Sequence, residues 1–541
     1  MTVSVPELTW EPPDGGVWEY DNSHQTGVAT AVMAELMPRP YEQGFRRAFG
    51  ELGLPLSHSE IAYINGRAYF SMFVHGAPRR PGNPPPDLVL KVLTRLLPSS
   101  RRRTRIAAQA RSENQPMLSV ARWKGMRSGW IERVLGFQDV DLAALDDPAL
   151  AAHLGGVFTL AREGLRLHFE LINIAGAFGR YLVRVREWGL DPNVAMAAVM
   201  HGVPVHAEAH ERMMAIVDSM EGTSVPSLDA VRSHSTVAAR ALDEYLRFHG
   251  SWATTDDANA PTLAEQPSVL LRAIANHRPP PAVDADARRS VRSEVPTADQ
   301  AEFDRLSDEA QQAHAAMEDN SALLGSWPLG LLGRAMREAA RRLAASGRLP
   351  DEDSVWALTS PEVAGLLDGS TSLDRSSIEA RVGERAALVD IDPPRHLNGE
   401  PGSPPDSSVF PEPVAYWTDA MGTFIEAKMH ATRATGVGTA PVTGRAVVVE
   451  SAHEAFERIE PGDILVTRAT NPAFNAIMPM LGGLITTDGG PACHAAVVAR
   501  ELQLSAIIGL GDAIDRLPDH ATIRLDPQRA TVTVVEAKAT A

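Results

Sequence analysis

The stretch TTDGGPACHAAVVAREL, Thr486 to Leu502, decides how the C-terminal part of this chain is read. The run LGGLI just before it has strand length, and AAVVAREL after the histidine is built of good helix formers with no breaker. Two glycines lie between them, so the pattern is strand, tight turn, helix, with His494 at the helix start. Backbone N–H groups of a glycine turn and of a first helical turn converge on one spot, where the helix dipole favours negative charge. An imidazole there can accept a phosphoryl group as a nucleophile and have the dianion stabilised in place. The alternative is a β-to-α turn whose histidine merely caps the helix.

Around this stretch, GRAVVVE, GDILVTRAT, GGLITTD, SAIIGLG, ATIRLD and TVTVVE are short β-branched runs bounded by Gly, Asp or Pro. They predict a small β/α domain over 433–541. Upstream, DPPRHLNGEPGSPPDSSVFPEPVAY (392–416) has seven prolines in 25 residues, and 392–432 is read as a linker and lead-in. As a random coil, such a tether spans roughly 25 to 30 Å. Residues 1–391 read as mainly helical: Leu, Val, Phe and Ile recur at three- and four-residue steps from Asp147 to Leu190, and LGLLGRAMREAARRLAASG closes on a glycine stop. EIAYINGRAYFSMFV predicts a hairpin turning at Asn65–Gly66, and HRPPPAVDADARRSVRSEVP (277–296) a surface loop. The fold class is multidomain, α followed by α/β.

A net charge of −17 opposes a nucleic-acid partner. The basic patch Ser99–Arg111 reads as a solvated helix start, with a phosphate or partner site as the alternative. No apolar run reaches the roughly 18 residues of a membrane span and the first residues lack a signal-peptide pattern, so a cytoplasmic protein is expected. Cys493 is the only cysteine, which leaves no intrachain disulfide. Only Lys91, Lys124, Lys428 and Lys538 are lysines among the 51 basic residues, and none lies in a glycine-rich loop. No ATP site is expected on these residues.

GGLITTDGGPACHAAVVARELQLSAIIGLGDAIDRL closely resembles the phosphohistidine swivelling domain of the phosphoenolpyruvate synthase and pyruvate phosphate dikinase family. GVGTAPVTGRAVVV and GDILVTRATNPAFNAIMPML resemble its opening segments, so the likeness runs over about 105 residues. The resemblance implies that His494 is phosphorylated, with Gly489 and Gly490 in the phosphate-facing loop and Arg500 on the following helix; Cys493 stands where the family has Ser or Thr, and Cys493 and Thr487 are further phosphate-binding candidates. A Cys493–His494 dyad is disfavoured, since adjacent residues at a helix start diverge by about 100°. GVWEYDNSHQTG, YINGRAYF and GRLPDEDSVWALTSPEVAGLLDG more weakly resemble the substrate domain of rifampin phosphotransferase and its relatives. A substrate domain followed by a phosphohistidine domain is similar to one subunit of split dikinases such as phenylphosphate synthase and the hydroxyacetophenone dikinases. That likeness implies a separate ATP-grasp subunit holding ATP and Mg2+, with a phenol as acceptor.

For the acceptor side, His314 and Glu318 stand one helical turn apart with Asp319 beside them, suited to holding and deprotonating a phenol or to forming a polar outer face. Asp21 and His24 fall in the segment that resembles the substrate domain, and His168 and His201 are further substrate-binding candidates. His206 and His210 have zinc-compatible spacing, but HAEAH is not HExxH, and no metal site is expected. Arg334, Arg337, Arg341 and Arg342 form a stripe that either meets phosphate or faces solvent. Two other functions remain open: phosphoryl transfer involving an enolpyruvate-like or other alcohol metabolite, and a noncatalytic phosphohistidine relay.

Overall fold

The computed structural model describes every residue except 1–7, 22–26, 78, 80–84, 221, 224–225, 278–285, 430–433, 439, 472–473, 476 and 537–541. It is a mixed helix and sheet protein with two sheets among the described residues. Contacts divide it into two compact units. The first comprises Met1–Asn173, Asp256–Ala260 and Leu323–Thr418; the second comprises Ile174–Thr255, Pro261–Ala322 and Asp419–Ala541.

In the first unit, strands β1 (Trp18–Tyr20), β2 (Leu56–Ile64), β3 (Arg67–Val74) and β4 (His396–Leu397) form an antiparallel sheet in the order β2-β3-β1-β4. β2 and β3 are the expected hairpin, turning at Asn65 and Gly66, both with positive φ. Within the Pro-rich stretch, β4 pairs with β1 and Pro394 O accepts the Tyr69 hydroxyl at 2.8 Å. The chain therefore leaves this sheet only after Leu397.

The arginine stripe is structural. Arg334 donates to the carbonyls of Gln138 and Val140, Arg337 to Ala260 O, and Arg341 and Arg342 pair with Glu338. Glu170, buried, collects Arg47, Arg122 and Arg166 at 3.0, 3.2 and 2.6 Å. An isolated buried carboxylate would be costly, and three guanidinium groups offset that cost.

The second unit combines helices with a seven-stranded sheet. Its helices include α1 (Ala175–Glu187), α2 (Pro204–Ser219), α3 (Gln300–Asn320), the C-terminal part of α4 (Glu412–Met429), and α5 (His494–Glu501). Its strands are β5 (Thr435–Val437), β6 (Val442–Val448), β7 (Ile464–Thr467), β8 (Gly483–Thr486), β9 (Ala506–Ile508), β10 (Thr522–Asp526) and β11 (Thr531–Glu536). The order is β11-β10-β6-β7-β8-β9-β5, with β6 to β9 parallel and the outer strands antiparallel. All six runs read from the sequence are strands, and Thr435–Val437 adds a seventh.

β7, β8 and β9 are buried throughout, as parallel strands covered on both faces must be. One face, through Leu465, Leu484 and Ala506, shares a core with Ile216 of α2 and with Leu242 and Leu270 on helices Thr236–Tyr245 and Pro267–Asn276. The other face, through Val466, Ile485 and Ile507, packs on Ala513, Ile523 and Leu525. The sheet thus rests against helices that the sequence assigned to the body.

Part of 277–296 is not loop: Ala287–Glu294 is a helix, tied to α3 by the Arg292–Asp304 pair at 2.8 Å and anchored by buried Val291. Three of its prolines precede Ala287 and the fourth, Pro296, follows Glu294, leaving the segment between them free to wind. No helix among the described residues is long and apolar enough to cross a membrane.

Leu484→Ala removes a fully buried side chain from the face packed on the helices. It is expected to lower stability by about 2–5 kcal/mol, read as a lower urea midpoint for the transition that exposes the β8 amides.

Candidate active site

His494 is placed by the ends of two neighbouring parallel strands. β7 runs out at Thr467 into the loop that carries Thr470, and β8 runs out at Thr486 into the glycine loop. The ladder extends beyond the strands, because Thr487 N–H donates to Thr467 O at 3.1 Å and Asp488 N–H to Arg468 O at 2.9 Å. Loops beyond the carboxyl ends of parallel strands are the usual place for a site in such sheets. Here they set Thr470 Oγ1 2.9 Å from His494 Nδ1. In the tautomer that donates from Nδ1 to Thr470, Nε2 carries the lone pair. Nε2 is buried with no hydrogen-bond partner among the described residues. Burial, with His206 and Lys428 nearby, pushes this imidazole down to about 3, so it is neutral at pH 7.

The glycine loop is held from outside the sheet. Gly490 N–H donates to Lys428 O at 3.0 Å and Ala492 N–H to Ala427 O at 2.9 Å, satisfying carbonyls at the C-terminus of α4. A Cβ on Gly490 would sit 2.2 Å from Ala427 O, so only glycine permits this approach. Gly489 has φ +99°, a conformation that side chains rarely adopt. In this arrangement the amides of Gly490 and Ala492 face helix carbonyls.

The remaining loop candidates are also placed. Thr487 is buried, with its hydroxyl 3.4 Å from Arg468 O. Cys493 caps α5 without a side-chain capping bond, and burial pushes its thiol up, which keeps it protonated at neutral pH. Arg500 donates to Pro491 O at 2.6 Å, bracing the loop from the last turn of α5; burial pulls it down to about 10.

Facing this loop, Phe178 of α1, Met200, Met317 of α3 and Phe424 of α4 form an apolar wall. With His314, Glu318, Lys428 and Ala492 they enclose a space of about 10 Å3, the size of a single water-sized sphere. His314, 2% exposed, has an Nε2 without a hydrogen-bond partner among the described residues. Its imidazole is pushed down to about 3 by burial, reinforced by His206, Arg500, His201 and Lys428. Burial raises the Glu318 carboxyl, against the pull of Lys428 and His206. Asp319, one residue on, is buried on the same helix.

The other acceptor candidates lie elsewhere. His201 Nδ1 is 3.0 Å from Gln311 Nε2. His168 stands edge-on to Phe169 on helix Asp147–Glu170, and Asp21 follows β1; both belong to the first unit. His24 lies outside the described residues. His206 and His210 do not converge: His206 Nδ1 is 2.7 Å from Glu501 Oε2, and His210 is 2.7 Å from His277.

Sequence reasoning missed Lys428, Thr470, Glu501 and the apolar wall. The rarity of lysine singled Lys428 out, and Thr470 lies in the quoted GDILVTRATNP segment. Nothing local marked Phe178, Met200 or Phe424.

The His206–Glu501 pair joins α2 to the end of α5. Burial pulls the His206 imidazole down, but the Glu501 hydrogen bond and charge outweigh it and raise it above its ordinary value. A raised histidine contributes stability that is fully present below about pH 6.5 and is lost as pH rises through the raised value. Amide-exchange protection of 494–501, corrected for intrinsic rates, is expected to fall over that window, and His206→Asn to remove this component.

A sequence profile described as PEP-utilising enzyme, mobile domain, matches residues 459–530. Phosphoenolpyruvate synthase of Aeropyrum pernix is 39% identical over 99 residues, 18% of this chain and 12% of that protein. A probable phosphoenolpyruvate synthase of Methanothermobacter thermautotrophicus is 32% identical over 162 residues, 28% of this chain and 23% of the relative. The chain thus spans less than a quarter of the length of these two relatives. Chondramide synthase cmdD of Chondromyces crocatus aligns over 98% of this chain at 22% identity, covering 14% of its own length. With the histidine loop and the mobile-domain match on the same sheet, the C-terminal sheet of this chain is similar to the mobile domain of PEP-utilising enzymes such as the phosphoenolpyruvate synthases.

Proposed function

We propose that this chain is the phosphoryl-transfer subunit of a split, ATP-dependent dikinase of the cytoplasm, acting on a phenol such as a hydroxyacetophenone in aromatic catabolism. A separate ATP-grasp subunit holds ATP and Mg2+; there His494 Nε2 takes one phosphoryl group, the other passes to water and leaves as inorganic phosphate, and AMP leaves. The mobile domain then returns to the helices of the second unit. The acceptor oxygen attacks phosphorus, the P–Nε2 bond breaks with its electron pair returning to the imidazole, and the hydroxyl proton passes to His314 Nε2.

The observation that carries this reading is a pair of imidazoles, His494 and His314, each with a buried Nε2 that has no hydrogen-bond partner among the described residues. His314 lines the space that Ala492 closes, two residues before His494. An ordinary phenol has pKa near 10 and needs its proton removed during transfer. His314 is a weak base while surrounded by cations, but an arriving phosphoryl dianion raises its proton affinity by charge alone. The apolar wall suits an aromatic ring better than a small carboxylate metabolite, and edge-to-face packing like that of Phe178 and Phe424, 6.0 Å apart at 79°, is available to a third ring. A space of about 10 Å3 admits no ring, so the acceptor enters while the mobile domain is away and is enclosed on its return.

The alignment with chondramide synthase over 98% of the chain favours a second reading, in which the same transfer acts on a hydroxyl of a metabolite being built by a synthase. A panel of phenols and aliphatic alcohols separates the two.

The test is intact-mass spectrometry at neutral to alkaline pH with ATP, Mg2+ and the candidate ATP-grasp protein. An acid-labile phosphoryl adduct at His494, discharged by a phenol, is expected. His494→Ala should fold normally and form no adduct. His314→Gln should load normally but discharge about 10²- to 10⁴-fold more slowly. Loading of the His494→Ala chain would overturn the reading.

A further inference from the structure

Lys428 sits in the last turn of α4, and it does two things at once. Its carbonyl accepts the Gly490 N–H at 3.0 Å, fixing the loop that carries His494. Its side chain lines the same small space as His314 and Glu318. Of the other cations around the loop, Arg500 is engaged with Pro491 O and His206 with Glu501, while Arg468 acts on Asp488 of the loop. Lys428 has no carboxylate within salt-bridge distance among the described residues; its ammonium lies 5.9 Å from the Phe424 ring centroid.

We propose that the Lys428 ammonium contacts the nonbridging oxygens of the phosphoryl group as it passes between His494 Nε2 and the acceptor oxygen, making Lys428 a catalytic residue of the transfer. This rests on the reading of His494 as the phosphoryl carrier.

The physical need is plain. A phosphoryl group in flight is held by weak partial bonds at both ends, and its charge spreads over three oxygens. The amides of Gly490 and Ala492 face helix carbonyls in this arrangement, so the loop backbone has little left to offer those oxygens. An ammonium on a flexible stem is a point charge that can follow a moving group. Such a charge in a water-poor site stabilises a transition state by far more than it would in water. Because the Lys428 carbonyl also registers the glycine loop, the cation comes into play only when the loop is seated. The lysine keeps its proton throughout, and proton transfer remains with His314.

The test runs the reaction backwards with the full chain and 4-nitrophenyl phosphate, which needs no nucleotide subunit. The P–O bond breaks, P–Nε2 forms, and 4-nitrophenolate leaves without requiring an acid. The wild type is expected to give one equivalent of nitrophenolate in a burst and an acid-labile phosphoryl adduct at His494. Lys428→Met should slow the burst about 10²-fold, and Lys428→Arg should recover part of the loss. A merely structural lysine would give no such contrast.

A wild-type burst matched in rate by Lys428→Met, or a Lys428→Arg burst as slow as that of Lys428→Met, would overturn the role of Lys428 and leave the carrier reading standing. No burst in the wild type, or an unchanged burst in His494→Ala, would overturn the carrier reading for aryl phosphates and the Lys428 role with it.

Discussion

Two backbone hydrogen bonds, from Gly490 and Ala492 to the last carbonyls of α4, set the position of everything chemical in this protein. A helix leaves its final carbonyls without intrahelical donors, and here the histidine loop supplies two. Each such bond contributes only about 1 kcal/mol net, so this part of the contact is reversible. Its geometry is nevertheless strict, because a side chain at residue 490 would collide with the Ala427 carbonyl. The two bonds set the registration, while the shared apolar core of sheet and helices supplies the rest of the contact.

The electrostatics follow from that seat. His206, Arg500 and Lys428 ring a pair of neutral imidazoles, and Glu318 is pushed toward its protonated form. Arg500 and Lys428 thus bring positive charge to the seated arrangement, while its two candidate nucleophile and base nitrogens stay unprotonated. Such a site is preorganised for a dianion, since the charges are fixed by helices and need no rearrangement when the group arrives.

What was legible in the sequence is what depends on neighbours along the chain. The strand, turn and helix around His494, the Asn65–Gly66 hairpin and the glycine stop at Gly347 all rest on local backbone preferences. His314 and Glu318 were legible as a pair because one helical turn separates them, though nothing local said which way that face turned. The apolar wall was not legible: Phe178, Met200, Met317 and Phe424 come from separate segments, and each alone reads as an ordinary core residue. Helix 287–294 was hidden by the prolines before it, and the arginine stripe on Trp327–Ala345 suggested phosphate because its carbonyl and carboxylate partners are distant in sequence.

The same two amides that seat the loop are the donors a phosphoryl group on a glycine turn would use. Helix carbonyls and phosphate oxygens are therefore rivals for one pair of protons, and both cannot have them together. On the proposed function, a phosphorylated His494 would be held less firmly against α4 than an unloaded one, so the carrier would grip hardest after delivery. Unloading and seating would then reinforce each other, and the domain's affinity for its berth would be a built-in record of whether its cargo is still aboard.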